Sequence, residues 1–395
     1  PRPESSNDTE FWKQTRSEFP LGDHRIYLNT GGVGASPRVA IDAVKDEMDK
    51  LERIAETGRS EQLWLSVKST AGSLLGCPAR NIAYTRNATE GINIVCNGLP
   101  LAAGDEVITS AHEHVGNTVT WLARQRFDGI RLRVFEPSLR SAHENLYRIE
   151  RLITPKTRVL SLPHVTTATG QVMPVEDIGA LASHHGLWYF LDGAQAPGMM
   201  PVDVGRIGCH AYATSGHKWL LGPKGTGLVY VHDEALETIR PRWVGAHSAG
   251  GQADMIYTGE FRFDEGAQRY EFGTVSVPLF VGLGASMRFL TDIGMGRIWA
   301  RNRHMASTLM SGLEAAGAEV LSPSDPEEHS AMITFRSDRI TSKELQSVLA
   351  GRYRLRTRKI YEGGLDAVRV SLHLYNSLEE VEVVKSAVRE ALERS

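Results

Sequence analysis

Ser215-Gly216-His217-Lys218-Trp219-Leu220-Leu221-Gly222-Pro223-Lys224-Gly225-Thr226-Gly227 is the stretch on which the reading of the fold turns. It lies between two apolar runs, residues 211–214 and 227–231, that read as strands. A lysine in a turn at a strand end can aim its amine into a crevice, and the glycines around it let a bulky ligand approach the backbone. Ser215 and His217 offer donors suited to a phosphate. Taken alone, the lysine reads equally as a solvated surface residue, as most lysines are.

Upstream, Trp188-Tyr189-Phe190-Leu191-Asp192-Gly193-Ala194-Gln195 reads as a buried strand ending in an acid. An acid at the C-terminal end of a strand points into the ligand crevice of an open α/β sheet. There a carboxylate would keep the pyridine nitrogen of pyridoxal 5′-phosphate (PLP) protonated, so that the ring works as an electron sink. The alternative is that Asp192 caps the following turn. Tyr84-Thr85-Arg86-Asn87-Ala88-Thr89-Glu90-Gly91-Ile92-Asn93 runs from a strand-like stretch into a helix. Its helix-start N–H groups and the Thr89 hydroxyl form an anion cradle, or Asn87 or Thr89 is a plain N-cap. Ala111-His112-Glu113-His114 follows another strand, where an imidazole can stack on a flat ring. His112 and His114 as a metal pair lack a third ligand at sensible spacing.

The rest of the chain agrees with an α/β protein. Strand-like runs at 106–110, 131–135, 158–163 and 187–191 join the two above and alternate with helical patterns such as 175–185. Alternation of this kind predicts a mostly parallel central sheet. Before it come a helical spacing over 10–19, a turn-rich segment over 29–37 and an amphipathic helix over 38–56. From 278 the pattern becomes helices (278–293, 295–316, 342–350, 378–393) with short strands (331–335, 368–371). This gives an expected division into an N-terminal tail and helix (1–20), a large domain (21–277) and a smaller α+β domain (278–395), with the N-terminal helix packed on the last. Among 395 residues, 41% are hydrophobic and 23% charged, and the net charge is −3, so no global positive field favours nucleic acid or an anionic membrane. Cys77, Cys96 and Cys209 form no CxxC pair, so neither a zinc site nor a disulfide framework is signalled. A nicotinamide dehydrogenase would need GxGxxG after a first strand, and the chain offers only Gly294-Met295-Gly296 within a helical region.

Asp192-Gly193-Ala194-Gln195 followed by Ser215-Gly216-His217-Lys218, with Asn87-Ala88-Thr89-Glu90-Gly91 and Glu113-His114 upstream, resembles the class V aminotransferase superfamily from about Tyr27 onward. That group includes cysteine desulfurases and isopenicillin N epimerase. The resemblance implies the PLP fold type I, aspartate aminotransferase-like. It also implies that Lys218 holds PLP as a Schiff base, Asp192 pairs with the pyridinium and His114 stacks on the ring. Gln195 would bond the phenolic oxygen; Thr89, Ser215 and His217 would hold the phosphate, and Ala88 and Thr167 would join the cofactor site. Glu271-Phe272-Gly273-Thr274 resembles the segment that such enzymes extend across a homodimer interface, Gly273 and Thr274 meeting the partner's phosphate. Arg369 would grip a substrate carboxylate with its planar fork, beside Asn29 and Gly32. No metal, nucleic acid or membrane partner is expected.

Departures from the pattern refine the expectation. Residues 352–366 hold no cysteine where desulfurases carry their nucleophile, which argues against the persulfide route. His164-Val165-Thr166-Thr167-Ala168-Thr169-Gly170 has Thr167 where desulfurases have Asn, and with residues 27–34 and 218–223 it resembles the epimerase branch. That branch has an exported subgroup that tailors the side chain of the siderophore pyoverdine in the periplasm of pseudomonads. Hercynylcysteine sulfoxide lyase is a neighbour. A start at Pro1, a polar opening over residues 1–8 and Phe11-Trp12 fit the exported subgroup. The expectation is therefore a periplasmic enzyme that tailors a siderophore side chain by transamination. The alternatives are a cytoplasmic location and an amino-acid epimerase or C–S lyase. All three activities begin with removal of the Cα proton by Lys218. Arg354, Arg356, Arg358 and Tyr361 fall on an expected substrate loop and suit an acidic or peptide-like substrate, or form a solvated basic face.

Overall fold

Seven strands form the central sheet of the computed structural model, which describes residues 6–251 and 259–394. Their spatial order is Ile82–Thr85, Gly227–Val231, Ala211–Ser215, Trp188–Asp192, Thr157–Pro163, Glu106–Ser110 and Arg131–Phe135. The last five are mutually parallel, and Gly227–Val231 runs antiparallel to both of its neighbours. Parallel strands covered on both faces need apolar residues at every position rather than alternate ones, and Ala211–Ser215 is buried throughout. The parallel strands end along one edge, with Pro163 opposite Asp192 and Asp192 opposite Ala213. The segments that follow those ends, 111–114, 164–167, 192–195 and 215–218, are therefore neighbours in space.

A second, antiparallel sheet has the order Arg358–Ile360, Ala367–Ser371, Met332–Arg336, Glu319–Val320. Its core joins Leu28 to Leu309, Phe335, Val368, Val370, Val384 and Val388. The expected substrate loop is corrected here. Residues 352–366 contain the strands Leu355–Arg356 and Arg358–Ile360 and a short 3-10 turn, Glu362–Gly364. Leu355 and Thr357 turn inward while Arg356 is exposed, a period of two that holds the stretch in strand form. Leu355–Arg356 also pairs in parallel with Ile26–Tyr27, which fixes the entry of the turn-rich segment.

Two further differences concern helices. The first helix spans Ser6–Ser17, so it begins inside the polar opening; residues 1–5 of that opening lie outside the described residues. Phe19, just beyond it, makes edge contacts with Phe289 and Tyr375, while Arg297 sits 3.5 Å above the Phe11 ring and pairs with Asp8 at 3.0 Å. Gly294-Met295-Gly296 joins helix Val277–Ile293 to helix Met295–Ala315, with Gly294 at a φ of 95°. It is a corner between helices, with no strand before it. No described helix is long and apolar enough to cross a membrane.

Candidate active site

Lys218 emerges from the end of strand Ala211–Ser215 in a tight turn. Gly216 N–H donates to the Thr226 carbonyl at 2.8 Å, and Gly222 N–H donates to the Gly216 carbonyl at 2.7 Å. The lysine side chain is buried, 8% exposed. Burial lowers its pKa to about 8, repulsion from Arg369 and Arg358 acting in the same direction and the Asp192 charge opposing them. The reading as a solvated lysine is thereby set aside.

Asp192 closes the neighbouring strand. Its Oδ1 accepts from the Ala194 N–H at 2.9 Å, so the turn-capping role and the crevice-facing role are held by one carboxylate. Gly193 is required beside it, because a Cβ there would stand 1.9 Å from the Tyr212 ring. Tyr212 in turn shares a 2.8 Å hydrogen bond with His164 Nδ1.

Helix Ala88–Gly98 points its start at the same crevice. Asn87 is the N-cap, accepting from Glu90 N–H at 2.9 Å, and Ala88 N–H donates to Ser215 Oγ at 3.1 Å. Thr89 is half-buried, and a Cβ at Gly116 would stand 2.6 Å from its Oγ1. His217 Nδ1 is buried with no hydrogen-bond partner among the described residues. His114 caps helix Val115–Asp128, its Nδ1 accepting from Gly116 N–H at 3.0 Å. The acceptor role of Nδ1 leaves the proton of the neutral ring on Nε2. Burial, then the Lys218 charge, lower the His114 pKa, which favours that neutral ring. His112 is buried beside Glu136, at 3.4 Å, and no three metal-ligating side chains gather among the described residues.

The opposite wall comes from the small sheet and the turn-rich segment. Arg369 has no exposed surface; its Nη1 donates to the Thr167 carbonyl at 2.7 Å and to Thr167 Oγ1 at 3.2 Å. Its Nε and Nη2 have no hydrogen-bond partner among the described residues, and burial depresses its pKa to about 9. Gly31 leaves that fork open, since a Cβ would lie 2.8 Å from Nη2. Asn29 is buried, its Oδ1 without a hydrogen-bond partner among the described residues, and a Cβ at Gly32 would stand 2.6 Å from its Nδ2. Gln195 Nε2 donates to the Gly31 carbonyl at 3.0 Å and to Thr167 Oγ1 at 3.3 Å, while its Oε1 accepts from Trp219 Nε1 at 2.7 Å. Nothing in the sequence marks Trp219 beyond its place directly after Lys218; only the fold brings its indole N–H to Gln195. Gly273 and Thr274 stand apart from this pocket, with Thr274 exposed and the Gly273 carbonyl 3.2 Å from His247 Nδ1.

These residues suit PLP. Unpaired buried donors at Arg369 and His217, an amine held near neutrality and a helix start demand an anionic, amine-reactive partner, and the Asp192 carboxylate matches a protonated ring nitrogen. The protein is a PLP-dependent enzyme of fold type I. It belongs to the aminotransferase class-V family, whose sequence profile matches residues 27–384. The probable cysteine desulfurase of Pyrococcus abyssi (strain GE5 / Orsay) is 25% identical, covering 96% of this chain and 97% of that protein. The isopenicillin N epimerase of Streptomyces clavuligerus is 29% identical over 95% of this chain and 97% of that protein. Among solved structures, the cystine C–S lyase C-DES with its product cysteine persulfide matches with a TM-score of 0.86 and 27% identity, over 94% of this chain and 99% of that one. A C-DES variant with glycine covalently linked to its PLP cofactor matches equally well, at 0.86 and 27%. Desulfurase-named relatives along nearly the whole chain correct the expectation that set that class aside. The missing cysteine in 352–366 remains a feature of this sequence.

Proposed function

We propose that the enzyme cleaves the Cβ–S bond of a cysteine-type amino acid. The carrying observation is Arg369: a fully buried guanidinium whose Nε and Nη2 have no hydrogen-bond partner among the described residues, its charge felt by the Lys218 amine. That placement suits a substrate whose α-carboxylate sits on Arg369 while its Cα–H faces Lys218. Bound PLP supplies the sink for the electrons released at Cα. Asp192 holds the positive charge that the sink needs. Lys218, poised near pH 8, takes the Cα proton. The Cα–H pair then becomes the Cα–Cβ double bond as the Cβ–S bond breaks, and the sulfur leaves with its electron pair and gains a proton. Hydrolysis of what remains gives pyruvate and ammonium. His114 offers a flat, neutral face to the bound ring and carries no charge that would compete with the sink.

Cys77 is raised to about 12 by burial, and the thiols of Cys96 and Cys209 are also pushed up by burial. Epimerisation is the second reading, supported by the 29% identity to isopenicillin N epimerase. The siderophore-tailoring transamination uses the same groups and differs in where the proton is returned. A homodimer belongs to this proposal. Trp243, 71% exposed, packs on Phe272 at 5.8 Å next to Gly273, which leaves an apolar patch beside the segment expected to reach a partner.

Holoenzyme incubated with cysteine and with cystine in deuterated water tests the reading. The expected result is release of sulfur with pyruvate, lost in Lys218→Ala. Alanine in place of pyruvate, with the sulfur captured as a persulfide by an added thiol, would mean that the Cβ–S electron pair stays on carbon, the desulfurase route. An intact substrate carrying deuterium at Cα, or a 2-oxo acid that keeps its sulfur, would overturn C–S cleavage in favour of epimerisation or transamination.

A further inference from the structure

Glu113 is a buried acid for which the chemistry above has no use. It lies in the turn between the end of strand Glu106–Ser110 and the start of helix Val115–Asp128, directly before His114. The backbone of that turn is pinned at Ala111, whose N–H donates to the Phe135 carbonyl at 2.9 Å, and at His114, whose carbonyl accepts from Asn117 N–H at 2.9 Å. Between these points the Glu113 side chain makes the tie. Its Oε1 lies 2.9 Å from Ser110 Oγ, and its Oε2 accepts from Asn117 Nδ2 at 2.9 Å. Asn117 Nδ2 also reaches Ser161 Oγ at 3.3 Å, and Ser161 Oγ accepts from Trp121 Nε1 at 2.8 Å. Ser161 belongs to the neighbouring strand Thr157–Pro163, so the network joins two strands to one helix start. All five side chains are buried.

Many helices fix the angle at which the chain enters by an apolar contact between the residue before the N-cap and the first turns. Here a carboxyl stands before the N-cap, His114, and an amide four residues on receives it. An ionised carboxylate buried without a cation is costly, and among the described residues Glu113 has no cationic partner. Burial raises its pKa to about 8, the Asp192 charge acting in the same direction and the bond from Asn117 opposing. The neutral acid donates from Oε1 to Ser110 Oγ, since a hydroxyl accepts as readily as it donates, and it still accepts from Asn117. Both oxygens are then satisfied, and a satisfied buried network is rigid. The turn has no slack on the pocket side: a Cβ at Gly116 would stand 2.6 Å from Thr89 Oγ1 and 3.1 Å from His114 Nδ1.

We propose that Glu113 is a positioning residue for His114: by bridging Ser110 and Asn117 it locks the turn that sets the height and tilt of the His114 ring over the pocket. The inference rests on the reading of His114 as the face that meets the bound ring, and goes beyond it. As a neutral acid, Glu113 adds no second negative charge beside Asp192. Loosening the turn leaves the grip of Arg369 on a carboxylate in place and costs orientation, to which rates are more sensitive than binding is.

Glu113→Gln, Glu113→Ala and His114→Ala holoenzymes test this. Visible circular dichroism of the bound cofactor reports the asymmetry of its surroundings, and kcat and KM with cystine and the melting temperature are followed beside it. Glutamine reproduces the neutral acid, its amide donating to Ser110 Oγ and its carbonyl accepting from Asn117, so it should keep the native dichroism and kcat. Alanine should lose most of the dichroism and lower kcat about tenfold or more, with KM changed by less than about threefold. His114→Ala should lose the dichroism likewise. A loss in His114→Ala with none in Glu113→Ala would sink the positioning role and spare the stacking of His114. An unchanged His114→Ala enzyme would refute the stacking, and the inference with it. A glutamine variant as impaired as the alanine one would overturn the neutral tie. Should Glu113→Ala fail to fold, Asn117→Ala breaks the same tie from its other end. The native protein adds a measurement free of truncation: at neutral pH its infrared spectrum should show a carboxylic-acid band that Glu113→Gln lacks. Absence of that band would overturn the inference, whichever reaction the enzyme performs.

Discussion

Lys218 should cost the cofactor-free enzyme stability, and the size of that cost follows from its surroundings. Burial depresses the amine from 10.5 to about 8, which is worth roughly 3 kcal/mol at about 1.4 kcal/mol per pH unit. In the unfolded chain the lysine binds its proton up to about pH 10.4. Between about 8 and 10.5 the unfolded state therefore carries more protons than the native state, and stability rises with pH across that window. Below about 8 both states are protonated and the full penalty remains. Lys218→Met mimics the neutral amine with an apolar side chain of similar length. Urea unfolding of the cofactor-stripped proteins should find the Met variant more stable by roughly 3 kcal/mol at pH 7, with the gap closing as pH approaches 10.5. A Met variant of equal or lower stability, with no pH-dependent gap, would refute the account of a buried, destabilised amine.

Gly31→Ala should raise KM for the amino acid about tenfold or more with a smaller effect on kcat, because the new methyl would stand 2.8 Å from Arg369 Nη2 and 2.9 Å from Met332 Sδ; steady-state kinetics checks it. Trp219→Phe should leave Gln195 Oε1 without its 2.7 Å donor and weaken PLP affinity by about tenfold, read by fluorescence titration of the apoenzyme. Sedimentation equilibrium should find a dimer, and Trp243→Glu should shift it toward monomer by placing a charge in the exposed apolar patch beside Phe272.

Much of the site was legible because its residues lie at strand ends. Asp192, Ser215 and the segment leading to His114 each follow a run of apolar residues, and a parallel sheet aligns such ends along one edge whatever the intervening helices do. Lys218 and Asn87 through Thr89 were legible for the same reason. What escaped the sequence depends on register between distant strands. Arg358 looked like one of four residues on a loop; pairing with residues 367–369 turns it toward the pocket, while Arg354 and Arg356 remain exposed. The period-two signal over 355–360 is too short and too charged to declare a strand by itself. The hydrogen bond from Arg358 to Glu362 depends on the turn made possible by Gly363, and the role of Trp219 on a partner 24 residues earlier in the chain. The opening helix starts earlier than its sequence suggests, because Ser6 to Asp8 look like linker, whereas Asp8 is tied down by Arg297, 289 residues away.

The central claim is that Lys218 carries the cofactor. Reducing the holoenzyme with borohydride, digesting it and sequencing the modified peptide by mass spectrometry tests this most directly. The phosphopyridoxyl mass should fall on Lys218 alone, with the near-ultraviolet to blue absorbance bleached in step. Modification of Lys224 or any other lysine in place of Lys218, or a protein that binds PLP with no reducible link, would contradict it.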